Sequence, residues 1–234
     1  MGLSGKIAIV TGGSGALGRF ISRQLLAEGA SVAIPYHSSQ VNARAFAEHT
    51  ARTLLVRADL TREEDVVACV EKVVGHFGTV DLLVNAAGGY SGGRNVEAVG
   101  ISEWENMLAT NLTSTFLMTR AVLPTMRKKK SGRIVSVAAM AALTPGAARA
   151  PYAVSKGGVV TLTEALAEEL KGTGITANAI APSIILTEAN LKSMPAADST
   201  KWVRPEEISR LVLYLCSDDA RSVSGNVIKI YGGV

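Results

Sequence analysis

Short apolar, β-rich runs return along this chain at residues 6–10, 31–34, 53–57, 80–85, 132–137, 176–180 and 227–231, and longer amphipathic segments fill most of the spaces between them. Runs without polar alternation describe strands buried on both faces, and such strands belong to parallel sheets. The stretches 16–28, 40–50, 62–77, 102–127, 152–171 and 205–216 space their apolar residues as helices do. Strand, helix and strand in repetition predict an α/β fold, with helices on both faces of a parallel sheet of about seven strands. Right-handed crossovers make such a sheet doubly wound. The 234 residues, 47% of them hydrophobic, suffice for one sizeable core, and no linker, repeat or low-complexity tract divides them. Residues 1–234 are therefore expected to form one domain. Ligands of an open parallel sheet bind outside the carboxyl ends of its strands. The least regular stretches, 88–100, 141–151 and 182–202, each leave such an end.

Composition removes several classes of function. A formal charge of +4, from 24 basic and 20 acidic side chains, is too modest to imply nucleic-acid binding. The basic run 127–130 follows a helical pattern, where cations suit the carboxyl end of the helix dipole. Cys69 and Cys216 are too few for a disulfide framework or zinc site, and His37, His49 and His76 lack metal-ligand spacing. No stretch approaches membrane-spanning length. The first residues read as neither a signal peptide nor a myristoylation site. The expectation is a soluble, reduced, cytoplasmic protein that binds no metal, nucleic acid or membrane.

The stretch Thr11-Gly12-Gly13-Ser14-Gly15-Ala16-Leu17-Gly18 lies between the first strand and the first helix, the context of a phosphate-binding turn. Gly12 and Gly15 let backbone approach a pyrophosphate, Gly18 permits close helix packing, and the helix amino end favours negative charge. The cofactor is expected to be NADP, with NAD possible. An acidic residue that would bind the ribose 2′-hydroxyl is missing after the second strand, where Pro35-Tyr36-His37-Ser38-Ser39 offers hydroxyl and imidazole donors instead. Tyr152 and Lys156 stand four apart and share a helix face. A phenol with a pKa near 10 needs a neighbouring cation for acid/base work at neutral pH. Tyr and Lys at this spacing also occur on many helices by chance.

Several spaced features in order make the chain resemble the compact short-chain dehydrogenase/reductases from Lys6 to Gly233: Thr11-Gly12 with Gly18, Asp59-Leu60, Asn85-Ala86-Ala87-Gly88, Asn111, Tyr152 with Lys156, and Pro182 with Thr187. The resemblance implies a Rossmann-like fold and an NAD(P)H-dependent oxidoreductase acting on a carbonyl/alcohol or a related C=N or pterin-like group. It implies Tyr152 as acid/base, with Lys156 binding the nicotinamide ribose and lowering the tyrosine pKa. Asn111 would hold a water in a proton relay. Asp59 would contact the adenine, Asn85 to Gly88 would pass the adenosine ribose, and Ile185 and Thr187 would lie near the carboxamide and phosphates. Ser14, Ala16, Leu17, Tyr36, His37, Ser38, Leu60 and Pro182 complete the expected cofactor contacts. On residue type alone, Asn111 equally suits a helix kink and Asp59 a turn. The resemblance also implies a homodimer or homotetramer formed through the helices 102–127 and 152–171.

The departures are equally definite. Ala139 stands where the family usually has a serine that hydrogen-bonds the substrate carbonyl, thirteen positions before Tyr152. Ser136 is three positions off and is not assigned that role. Ala16, Ser183 and Tyr231 replace two glycines and an aspartate of the usual pattern. Three segments, 12–18, 87–93 and 193–202, are similar to dihydropteridine reductases, family members with a small residue at the serine position. Reduction of a quinonoid dihydropterin needs less carbonyl polarisation, so that activity is an alternative. A second alternative is a catalytically weakened dinucleotide-binding sensor or scaffold. Retention of Tyr152, Lys156 and Asn111 together favours the enzyme. Ala139, Tyr90, Met140, Met194 and Trp202 are the candidate substrate pocket.

Overall fold

The computed structural model describes residues 2–37 and 51–234. Its strands are β1 (Ile7–Thr11), β2 (Ser31–Tyr36), β3 (Thr53–Arg57), β4 (Leu82–Asn85), β5 (Gly132–Val137), β6 (Ile175–Pro182) and β7 (Val227–Ile230). They form one sheet in the order β3-β2-β1-β4-β5-β6-β7, and every neighbouring pair is parallel. The helices are α1 (Gly18–Ala27), α2 (Glu63–Phe77), α3 (Ile101–Met107), α4 (Ser114–Lys129), α5 (Met140–Leu143), α6 (Ala150–Glu169), α7 (Glu188–Ser193) and α8 (Pro205–Cys216). This is the expected Rossmann-like, doubly wound arrangement.

The apolar runs become strands because both faces of the sheet are covered. Every residue of β1, β4, β5 and β6 is buried. On one face Ile21 and Leu25 of α1 and Ile208 and Val212 of α8 pack against Val10, Val84 and Ile180. On the other, Val66 and Val73 of α2, Met118 and Val122 of α4 and Leu166 of α6 pack against Ile9, Leu83 and Ile134. Strand order reverses between β1 and β4, whose carboxyl ends meet as the pair Thr11 and Asn85. A crevice opens at that reversal.

Element bounds follow the sequence reading within a few residues, with informative exceptions. The stretch read as 80–85 pairs only from Leu82, because Asp81 is used as a joint: its carboxylate accepts from the Ile7 N–H at 2.8 Å and pairs with Lys129. The single helix expected at 102–127 is three pieces, α3, a π-helical turn at Leu108–Thr113 and α4. The short helices α5 and α7 lie in stretches read as irregular. The helix expected at 40–50 lies outside the described residues. Among the described residues, no helix is long and apolar enough to cross a membrane, and no group of His, Cys, Asp or Glu is placed to hold a metal.

Candidate active site

The turn after β1 is held by Thr11, which the sequence placed in the motif without a bonding role. The Thr11 hydroxyl oxygen accepts from the N–H groups of both Ala86 and Ala87, each at 3.0 Å, and so ties the β1 and β4 ends together. Gly12 follows with φ +64°, and a Cβ there would lie 2.9 Å from the Ala87 Cα. Only glycine satisfies both conditions. Helix α1 starts at Gly18 with no side-chain cap and no acidic residue in its first turn, which leaves its positive end unneutralised. Gly15 and Ala16 are exposed beside it, and Ser14 and Leu17 are half-buried. A cleft of about 240 Å³ joins Ala16, Arg19 and Phe20 to Leu186, Thr187 and Arg204, so the turn and the lid over 182–202 face one another.

A second cleft, of about 360 Å³, lies beyond the ends of β2 and β3 and is lined by His37, Arg57, Asp59, Arg62 and Asp65. Tyr36 is half-buried at the end of β2, and Ser38 lies outside the described residues. Asp59 is a turn residue here: Oδ1 accepts from the Thr61 N–H at 2.9 Å and from its hydroxyl at 2.7 Å. Those bonds hold its carboxyl below the usual range. Its other oxygen remains 3.9 Å from His37 Nε2. Leu60 packs on the core under α2. Arg57 and Arg62 were missed, because an exposed arginine on an edge strand and another before a helix look like solvated surface.

The chemical residues converge at the amino end of α6, where Pro151 opens the helix. Lys156 is 6% exposed, and its ammonium donates to the Val137 carbonyl at the end of β5, at 2.7 Å. Burial pulls its pKa down to about 8. Asn111, fully buried in the π-helical turn, bonds through its amide to Gly89 and Ser155. Its Oδ1 accepts from the Gly89 N–H at 2.8 Å, and Nδ2 donates to the Gly89 carbonyl at 3.1 Å and to the Ser155 hydroxyl at 2.9 Å. The wide turn is what brings this amide to the β4 loop; such turns are frequent at functional sites. Gly88 completes the cradle, since a Cβ there would stand 2.7 Å from Asn111 Oδ1 and 3.2 Å from Lys156 Nζ.

Tyr152 departs from expectation. Burial pushes its phenol up to about 12, Tyr90 adds to the rise, and Arg149 opposes it. Lys156, one helical turn further along α6, donates to the Val137 carbonyl. Tyr90, although 65% exposed, packs edge-on against Tyr152 with ring centres 5.0 Å apart. Ala139 is buried at the start of α5, and Met140 is half-buried beside it. Ser136 cannot replace the missing serine: it is buried in the core, where its oxygen accepts from Asn85 Nδ2 at 3.3 Å.

Pro182 ends β6, and the lid that follows is stitched by Asn190, another residue not foreseen. Its Nδ2 donates to the Ile185 carbonyl at 2.8 Å, and its N–H to the Thr187 hydroxyl that caps α7 at 3.2 Å. Met194 is half-buried. Trp202 is only 5% exposed, so its bulk is packed inside the protein, and it is Val203 beside it that pairs with Ile185.

Residues 6–197 match the family described as short chain dehydrogenase. The chain is 31% identical to glucose 1-dehydrogenase 2 of Bacillus subtilis, over 99% of this chain and 95% of the relative. It is 32% identical to a 3-oxoacyl-[acyl-carrier-protein] reductase of Aquifex aeolicus, over 99% and 98%. The corresponding reductase of Vibrio cholerae is 33% identical, over 100% and 99%.

Proposed function

This chain belongs to the short-chain dehydrogenase family and is an NAD(P)-dependent oxidoreductase, and from that premise we propose that it reduces a carbonyl compound, or oxidises the matching alcohol, with NADP as its preferred cofactor. The carrying observation is that Lys156 and Asn111 meet at the Gly88 cradle by the strand-order reversal, with Tyr152 one helical turn before Lys156 on α6.

The residues fit a dinucleotide. The cradle at Gly88 has no room for a side chain, and the uncapped end of α1 awaits negative charge. Residues 12–18 would hold the pyrophosphate. Asp59, Leu60 and Asn85 to Gly88 would line the adenosine, and Lys156, Pro182, Ile185 and Thr187 the nicotinamide end. Arg57 and Arg62 bring guanidiniums to one cleft, beside His37 and the carboxylates of Asp59 and Asp65, and two guanidiniums suit a 2′-phosphate better than a bare hydroxyl. When bound, the reduced cofactor supplies the hydride.

The remaining work falls to this chain's side chains. A phenol held near 12 stays protonated at neutral pH, so Tyr152 holds the proton for the reduced oxygen, and a positive charge brought beside it would speed the transfer by lowering that value. Lys156 keeps a positive charge beneath the site below pH of about 8. Asn111 holds Gly89 and Ser155 in place. The glucose dehydrogenase and 3-oxoacyl reductase relatives favour carbonyl/alcohol chemistry over the pterin alternative. The whole chain acts as one dinucleotide-binding domain, in the cytoplasm. The exposed Phe116 on α4 and Val154 on α6 suit pairing of copies into a homodimer or homotetramer.

The test is the loss of reduced-nicotinamide absorbance with NADPH and NADH in parallel, against activated ketones and a dihydropterin. Faster turnover of ketones with NADPH is expected. Turnover of the pterin alone would replace the carbonyl reading, and cofactor binding with no turnover would leave a sensor.

A further inference from the structure

We propose that Arg149 is a specificity-determining residue, whose guanidinium takes an anionic group, carboxylate or phosphate, carried by the substrate close to its reacting carbon. The proposal rests on the oxidoreductase reading and deepens it by naming the substrate class: carbonyl compounds bearing an oxyanion.

Arg149 occupies the N-cap position of α6, three residues before Tyr152, and its carbonyl accepts from the Ala153 N–H at 2.9 Å. Its approach is fixed. Ala148 adopts φ +57°, a left-handed conformation unusual for alanine, and its carbonyl accepts from the Gly93 N–H at 2.7 Å. The guanidinium lies over Gly146, where a Cβ would be 3.2 Å from both Cζ and Nε. The loop therefore leaves room for this side chain and positions its base.

Among the described residues the guanidinium has no hydrogen-bond or ion-pair partner. Its Nε is buried without a hydrogen bond, and among the described residues no carboxylate pairs with it. Three other arginines each meet a carboxylate: Arg133 pairs with Asp218, Arg94 with Glu103 and Arg120 with Glu63. A buried donor left unmade is costly, more so on a charged group. The Nε is closed to solvent, so an oxyanion would engage the terminal Nη groups, whose fork matches carboxylate and phosphate geometry and whose charge-assisted bonds would offset the cost of the enclosed Nε. The amino end of α6 adds to the same positive field.

The position also answers the departure at Ala139. That residue offers no hydroxyl to the substrate, and Ser136 is committed to Asn85. Arg149 brings charged donors to the same end of α6 as Tyr152, and its charge already acts on that phenol. An anionic substrate would be anchored by charge where the usual site relies on a serine. The rival is that Arg149 only stiffens the loop 144–149; such a role would not discriminate between an acid and its ester.

The experiment compares wild type, Arg149→Gln and Arg149→Lys, each saturated with NADP, by calorimetric titration with acetoacetate, methyl acetoacetate and dihydroxyacetone phosphate. Turnover of each is followed in parallel with NADPH, and thermal melts and cofactor titrations confirm folding. Wild type is expected to bind at least one of the two anions 10-fold or more tighter than the neutral ester. That preference should collapse in Arg149→Gln and partly return in Arg149→Lys. The anion preferred decides between carboxylate and phosphate. A wild type that does not distinguish acid from ester, or an Arg149→Gln variant that keeps the preference, overturns the proposal. Arginine-dependent binding without turnover of any of the three supports the anion site and counts against the carbonyl-reductase reading alone.

Discussion

The ammonium of Lys156 and the carbonyl of Val137, 19 positions apart in sequence, meet at 2.7 Å beneath the site. The strand end thus holds the lysine, and among the described residues no carboxylate pairs with it. Its pKa of about 8, against an ordinary 10.5, has a consequence for stability. Between these two values the unfolded chain keeps a proton that the folded chain has released. Wild type therefore gains stability relative to Lys156→Met as pH rises from 8 to 10.5, by about 1.4 kcal/mol per pH unit at most. Denaturant titrations of both proteins at pH 7 and pH 9.5 measure it. A difference independent of pH would rule out the depressed value.

Tyr152→Phe is expected to lower kcat by about 10²–10⁴-fold, the usual worth of a positioned acid or base, while cofactor affinity is retained. Since the phenol is held near 12, reduction by wild type should show no loss from tyrosine ionisation below pH 10. Any decline above pH of about 8 should follow Lys156. Initial rates from pH 6 to 10 check both statements, and an unchanged kcat in the variant would remove Tyr152 from the chemistry.

Gly88→Ala inserts a methyl 2.7 Å from Asn111 Oδ1 and 3.2 Å from Lys156 Nζ. Neither neighbour can retreat freely, since each is buried and hydrogen-bonded. The expected result is a stability loss of about 1–3 kcal/mol, together with cofactor binding weakened by about 10-fold or more if that loss is felt at the site. Fluorescence titration with NADPH reads the second effect.

Thr11→Val keeps shape but removes the oxygen that accepts from Ala86 and Ala87. Two backbone donors lose their partner, at about 1–3 kcal/mol for each that stays buried. For a chain of this size that is a Tm drop of roughly 2–4 °C per kcal/mol. A melt within a degree of wild type would mean that water replaces the hydroxyl.

Arg57→Ala with Arg62→Ala should lower the preference for NADPH over NADH by about 10-fold or more, in the range of charge-assisted hydrogen bonds lost. Parallel kcat/KM values for the two cofactors test it. An unaltered ratio would place the 2′-phosphate elsewhere.

The sheet was legible because a strand buried on both faces must be apolar throughout, as Ile134 and Val135 illustrate. Tyr152, Lys156 and the turn at Gly12 were legible through spacing and context. Other features depend on partners far away in the chain. Lys156 was expected to act on Tyr152, but its direction is set by a strand carbonyl that carries no mark in the sequence. Asn111 was expected in a proton relay, and nothing in the sequence marks Gly89 and Ser155 as the groups its side-chain amide reaches. Trp202 was a pocket candidate by type, and only packing reveals its burial. The loose guanidinium of Arg149 is visible only as a missing partner.

The wide turn from Leu108 to Thr113 implies an unusual sensitivity to chain length. A π-helical turn carries an extra residue within an α-helical path. Deleting one residue there would restore regular winding, keep α3 and α4 near their present phase and draw the Asn111 amide back from Gly89 and Ser155. No point substitution does this. The number of residues between α3 and α4 therefore belongs to the site as fully as the amide of Asn111 does.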